Sequence, residues 1–316
     1  MKEKKKQKNF WPLIFGILLT GYAVFTLLDA FVLPRDLVVL ESAREPEISE
    51  NSAVSQVAEE AEQLPEETEQ QEPIVTQNNY QSKNISIPIE TIERYNTQVY
   101  VADIQLADAS FLKTALAGNT FGRNVGQTTS EIAKANDAIL AVNGDYYGFR
   151  DRGFVMREGY LYRDTVQGDG YEDLVIYEDG RLEVIEEAGS DASALAEAGA
   201  VQIFSFGPGL IRSGEITVTE GSEVEQSMQS NPRTAIGQIG DLHYLLVVSD
   251  GRTEESEGLT LLELAQVMEE YGCQTAYNLD GGGSSTMWFM GEVINHPTNG
   301  WRDGERSISD IVYIGE

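Results

Sequence analysis

The run Asn278-Leu279-Asp280-Gly281-Gly282-Gly283-Ser284-Ser285-Thr286 places a carboxylate directly before three glycines and a string of hydroxyls. Successive glycines allow close backbone approaches that a Cβ forbids, and their N–H groups can gather around an anion. A carboxylate at the end of a strand would then face an oxyanion cradle. The same residues would also make a plain glycine-rich turn. A nucleotide loop fits poorly, because no Lys follows the glycines and Met287-Trp288-Phe289 returns to strand.

A second cluster, Asn143-Gly144-Asp145-Tyr146-Tyr147-Gly148, also closes an apolar strand. Polar residues at strand ends commonly face a cleft, and tyrosines can stack on a sugar face or hydrogen-bond its hydroxyls. Asp145 reads either as a second carboxylate across that cleft or as the cap of an Asn-Gly turn. Basic residues are scarce, with 22 Lys and Arg against 52 Asp and Glu and a formal net charge of -30. So acidic a chain argues against nucleic acid as a partner and repels any phosphate at long range, so a phosphorylated ligand would need local guanidinium groups. Arg233 in Asn231-Pro232-Arg233-Thr234, Arg252 in Ser249-Asp250-Gly251-Arg252 and Arg306 in Glu305-Arg306-Ser307 each lie near a strand end. Taken singly, each also fits a surface ion pair.

Other chemistries find little support. His243 and His296 are the only histidines, and His243 lies within a strand pattern. With one cysteine, Cys273, there is no internal disulfide and no conventional zinc set. Ser284 and Ser285 lack an evident His partner for a nucleophilic triad. No cofactor is called for, and a divalent metal remains open.

The elements that must hold these residues are short strands and a few helices. Residues 99–106 read as a strand, and residues 138–142 as a short apolar strand ending at Asn143. Residues 174–177 and 182–185 flank Asp179-Gly180 as a hairpin, and 234–239 with 242–249 form a second around Gly240-Asp241. Thr260 followed by Glu263 makes a capping box for a helix whose Leu261, Leu264, Ala265 and Met268 recur at helical spacing until Gly272. Weaker helical patterns cover 130–136 and 191–198. The expected fold is α+β, a mixed and largely antiparallel sheet with a few packed helices, from residue 92 to 316.

The N-terminal part reads differently. A basic tail (residues 1–10) carries Lys2, Lys4, Lys5, Lys6 and Lys8, and no charge interrupts residues 11–28. Continued to Leu33, this stretch would span roughly 30 Å as a helix, about a bilayer core. It ends without a small-x-small cleavage site, which favours an uncleaved transmembrane anchor at 11–33 over a signal peptide. The Lys cluster sets the N-terminus in the cytoplasm and everything after Pro34 outside. Residues 34–91, rich in Glu, Gln, Asn, Ser and Pro, read as a disordered acidic stalk.

In order along the chain, Asn143-Gly144-Asp145-Tyr146-Tyr147, Phe206-Gly207-Pro208, Pro232-Arg233-Thr234-Ala235-Ile236-Gly237, Asp250-Gly251-Arg252 and the 278–286 run resemble the phosphodiester glycosidase domain family. The resemblance covers residues 95 to 316 and implies hydrolysis of a sugar-1-phosphodiester in a surface polysaccharide or wall polymer. It makes Asp280 the catalytic carboxylate, with Asp145 as a second candidate. It gives Arg233 and the Gly281, Gly282 and Gly283 amides to the phosphate, and Asn143 and Asn278 to the sugar. Gly144, Tyr146, Thr234, Asp250, Arg252, Ser284, Ser285 and Arg306 complete the expected binding set. The rival reading is a non-catalytic module that binds phosphorylated surface polymers during exopolysaccharide assembly or export.

Overall fold

The computed structural model describes residues 10–39, 72–222, 230–300 and 302–316. Among them, three antiparallel sheets share the work. The largest has nine strands, in the order Glu215–Ile216, Gly209–Arg212, Thr275–Asn278, Arg233–Gly240, His243–Ser249, Thr97–Leu106, Ile85–Arg94, Asn79–Gln81 and Ile74–Thr76. A five-stranded sheet runs Glu292–Val293, Met287–Phe289, Leu140–Asn143, Asp310–Ile314 and Leu112–Leu116. The other five-stranded sheet runs Tyr160–Arg163, Val155–Arg157, Ala200–Phe204, Glu172–Tyr177 and Leu182–Glu186. Every strand pair among the described residues is antiparallel, so the parallel component of the expected mixed sheet is not found.

The two hairpins form as their turn residues require. Val175 pairs with Glu183 across Asp179-Gly180, and Ile236 with Leu246 across Gly240-Asp241. His243–Ser249 reads as one apolar run because both of its faces are buried. Tyr244, Leu246 and Val248 point into the core between the three sheets, while Leu245 and Val247 pack toward helix Leu261–Glu270. That helix is the last of four α-helices among the described residues, α1 (Trp11–Phe31), α2 (Thr129–Ala135), α3 (Ala192–Glu197) and α4 (Leu261–Glu270). Thr260 and Glu263 close the capping box of α4, and Thr128 and Glu131 close one on α2.

Two expectations for the N-terminal part change. Among the described residues no helix is long and apolar enough to cross a membrane. The anchor expected at 11–33 is therefore not supported by the fold, although α1 does form there; the side chains of Pro12, Ala30 and Phe31 lie outside the description. The stalk expected at 34–91 is also corrected. Arg35–Val39 pairs with Thr120–Arg123, and Ile74–Thr76, Asn79–Gln81 and Ile85–Arg94 extend the large sheet. The reason is the alternation Ile85-x-Ile87-x-Ile89, which puts three buried isoleucines on one face of the strand, while Pro88 and Glu90 between and after them are exposed. Residues 1–9 of the basic tail and 40–71 of the stalk lie outside the described residues.

Each buried isoleucine contributes about 1.5–3 kcal/mol, and together they rival the roughly 5–15 kcal/mol that holds a whole domain. A chain beginning at Ile92 is expected to lose cooperative unfolding in calorimetry, whereas one beginning at Glu72 keeps it. Equal melting of the two would show that these strands are dispensable.

Candidate active site

Strand ends from all three sheets converge on one corner. Asn143 ends one strand, and its amide joins three segments. Nδ2 donates to the carbonyl of Asp280 at 2.6 Å, while Oδ1 accepts from Thr234 Oγ1 at 2.8 Å and from the Thr286 N–H at 3.2 Å. Asn143 is fully buried, so it positions the Asp280 loop from beneath. The Asp280 N–H in turn donates to the Gly144 carbonyl at 3.1 Å. These bonds lock the two sequence clusters, 137 residues apart, into one site.

Above that clamp, the triple glycine bends tightly. Gly282 has φ +62°, a left-handed conformation that glycine tolerates best, and a methyl group there would stand 2.8 Å from Arg252 Nη2. The Arg252 guanidinium therefore lies against the glycine backbone, held by Asn231 Oδ1 at 2.8 Å. Arg306 approaches the same loop. Its Nη2 sits 3.1 Å from Asp280 Oδ2 and its Nε donates to Ser284 Oγ at 3.0 Å, while Ser284 Oγ donates to Asp280 Oδ2 at 2.5 Å. Burial, and then the neighbouring charge of Arg306, pull the Arg252 pKa below its ordinary value. Two guanidinium groups thus share the rim of one loop. The Gly282 N–H donates to the Pro232 carbonyl, and those of Ser284 and Ser285 turn back on Gly281 and Gly282, which narrows the expected amide cradle.

Burial raises the Asp280 carboxyl above its ordinary value, with Arg306 and Ser284 opposing and Asp145 adding repulsion. These two partners favour the ionised form against the burial that disfavours it. Asp145 is equally buried but differently occupied. Its Oδ1 accepts from the Tyr146 N–H at 2.6 Å and its Oδ2 from the Ser205 N–H at 2.8 Å. Behind it lies Arg157, 2% exposed, with Nε donating to Asp310 Oδ2 at 2.6 Å and Nη2 within 3.7 Å of Asp145 Oδ2. Nη2 is also 2.6 Å from Asp310 Oδ2, a charge contact without hydrogen-bond alignment. Burial pushes the Asp310 carboxyl up to about 6 against the pull of Arg157, and Asp145 adds to the rise.

Arg157 and Asp310 were not in the sequence-derived set. Asp310 follows a serine at the head of an ordinary apolar strand, and nothing in its immediate neighbours marks it. One signal was available, the glycine before Asp145: a methyl on Gly144 would meet Asp310 Oδ1 at 2.5 Å, so a close approach is built in.

The other expected residues separate into two groups. Thr234 serves the Asn143 clamp, and Asp250 accepts from the His296 N–H at 2.8 Å and from the Tyr100 hydroxyl at 3.1 Å. Asn278, fully buried, donates to the Gly207 carbonyl at 2.7 Å, and Ser285 holds Asn295 through its carbonyl. Arg233 is 2% exposed, with Nε donating to the Leu259 carbonyl at 2.9 Å. These five, like Asn143, make framework contacts in this structure, and the Arg233 side chain also lies beside the glycine loop, its Cδ 3.9 Å from where a Gly281 methyl would stand. Arg252, Arg306, Gly281, Gly282 and Tyr146 reach the rim. Tyr146 stacks on Phe149 at 4.9 Å, beneath the Arg150 guanidinium. No group of three His, Cys, Asp or Glu side chains among the described residues is arranged to hold a metal.

The site is thus a buried carboxylate braced by arginine at a glycine loop, on a three-sheet antiparallel scaffold. The chain belongs to the phosphodiester glycosidase family, whose pattern matches residues 136–315, more than half of it. It is 31% identical over 200 residues to the SPbeta prophage-derived uncharacterized protein YomE of Bacillus subtilis, covering 61% of this chain and 30% of that protein. It is 27% identical over 207 residues to human N-acetylglucosamine-1-phosphodiester alpha-N-acetylglucosaminidase, covering 60% and 40%. The chain thus spans less than half the length of either relative. The fold is that of the zebrafish catalytic domain of the latter enzyme, with a TM-score of 0.57 and 23% identity over 73% of this chain and 83% of that one.

Arg306 holds the Asp280 pKa down, so removing the guanidinium lets it rise. In Arg306→Gln the acid limb of kcat/KM is expected to move to higher pH, because Asp280 is then protonated over a wider range. A limb that stays in place would show that Asp280 does not set it.

Proposed function

We propose that this chain hydrolyses the bond between the anomeric carbon of a sugar and a phosphodiester, releasing a free sugar and a phosphomonoester. The observation that carries this reading is the Asp280–Ser284–Arg306 cluster with Arg252 set against Gly282, a buried carboxylate beside two guanidinium groups. Phosphate is already a good leaving group, which relaxes the demand for a strong general acid. What is left is to hold the departing anion and to offset positive charge at the anomeric carbon. Arg252 and Arg306 take the first task, and Asp280 takes the second or orients the attacking water. Tyr146, at the rim, offers a ring to the sugar. The family relatives that are named for such an activity support the reaction class.

Asp280→Asn keeps the shape and removes the charge. Turnover of a sugar-1-phosphodiester panel, followed as released reducing sugar, is expected to fall at least about a hundredfold, with little change in melting temperature. Ligand binding without turnover in the wild-type chain, unaltered by this substitution, would make the chain a polymer-binding module instead.

We further propose that the domain works outside the cytoplasm on surface polysaccharide or wall polymer, attached through the apolar N-terminal stretch that runs past α1 to Leu33. The reading is supported by the uncharged stretch from residue 13 to 28 and by its exposed side chains, with Leu13 63% and Leu18 65% exposed. The Lys-rich tail before it orients such a segment with the tail inside. Protease added to intact cells is expected to remove the domain and to spare an N-terminal tag. Protection of the domain would reverse or remove the anchor.

A further inference from the structure

A cavity of about 470 Å³ lies apart from the Asp280 loop, between the outer strand Ile74–Thr76 and the hairpin that carries Met287–Phe289. Its size suits one or two sugar rings. Thr76, Gln77, Asn78 and Thr91 supply hydroxyls and amides, the half-buried Tyr100 supplies aromatic surface, and Val75 and Met290 are among the apolar lining. The one charged side chain among its described lining residues is Glu292. That chemistry repels an anion and suits a neutral polyhydroxylated ligand, which pairs ring faces with amide and hydroxyl donors.

The cavity is also wired to the site. The Tyr100 hydroxyl donates to Asp250 Oδ2 at 3.1 Å, and burial together with Asp250 raises its pKa to about 12, so it stays a donor. The other oxygen of Asp250 holds the His296 N–H at 2.8 Å and Asn295 Nδ2 at 3.2 Å. Asn295 then accepts from the Met287 N–H and donates to the Ser285 carbonyl, directly after Ser284. A ligand against Tyr100 is therefore one buried hydrogen-bond chain away from the glycine loop.

We infer that this cavity binds an uncharged sugar unit of the glycan, remote from the bond that is cut. The inference goes beyond the proposed hydrolysis and rests on it only for the choice of a glycan ligand. Phosphate belongs to the arginine-lined loop and the neutral unit to the cavity, so the two regions would divide one substrate by charge.

The test needs no turnover. Uncharged hexose and N-acetylhexosamine trisaccharides, which contain no phosphodiester, are titrated into the full chain by calorimetry and saturation-transfer NMR, with inorganic phosphate as the anionic control. At least one trisaccharide is expected to bind, and the exposed pair Gln77→Ala with Asn78→Ala should weaken it at least tenfold while the melting temperature holds. Arg252→Ala should leave that binding unchanged and weaken phosphate. The inference fails if no trisaccharide binds at millimolar concentration, if the double variant binds equally well, or if Arg252→Ala abolishes trisaccharide binding. Failure of phosphodiester turnover alone would leave these outcomes readable.

Discussion

Arg157 is a cation with almost no water, and the geometry around it follows from that fact. An unpaired buried guanidinium is prohibitively costly, and removing one partner of a buried pair typically costs about 3–5 kcal/mol. Asp310 and Asp145 therefore have to arrive together, one at the head of Asp310–Ile314 and the other just past the end of Leu140–Asn143, while Arg157 ends a strand of a different sheet. Its remaining contacts, to the Met156 and Ile203 carbonyls and over the Phe204 ring at 3.9 Å, tie it to its own sheet. One charge thus staples two sheets at the corner where Asp280 also lies.

The same corner shows how a very acidic chain can keep a site for an anionic substrate. Long-range repulsion is set by the net charge of -30, but binding is decided within a few ångströms. There Asp145, Asp280 and Asp310 are each paired with a guanidinium. Asp173 is the exception: burial first, then Glu187 and Asp145, push its pKa well above the ordinary value, which disfavours its charged form, and neither of its oxygens has a hydrogen-bond partner among the described residues. Arg252 and Arg306 remain at the rim.

Much of the scaffold was legible because it is local. The hairpins at Asp179-Gly180 and Gly240-Asp241 announce themselves by turn chemistry, and α4 by its capping box and helical spacing. The outer strands from Ile74 to Arg94 were hidden by composition: Asn, Gln, Ser, Thr and Glu are interspersed along them, and the core contacts come from Tyr80 and the alternating Ile85, Ile87 and Ile89. An average over such a stretch reads as solvated spacer, whereas its period of two is that of a strand with one wet face.

By itself, the sequence determined that Asp280 stands at a strand end before three glycines, and that this loop and the Asn143-Gly144-Asp145 cluster belong to one family pattern. Both are properties of neighbouring residues, where backbone permissiveness and side-chain type act over a few bonds. How each arginine meets the loop was decided only by tertiary structure. Arg233, Arg252 and Arg306 look alike in sequence, yet Arg233 is enclosed with its Cδ beside Gly281, while Arg252 and Arg306 reach the loop from segments brought there by sheet packing. Asp310 and Arg157 likewise become a pair only through the register of strands 153 residues apart. Electrostatic partnership depends on distance and burial, and neither is carried by local sequence.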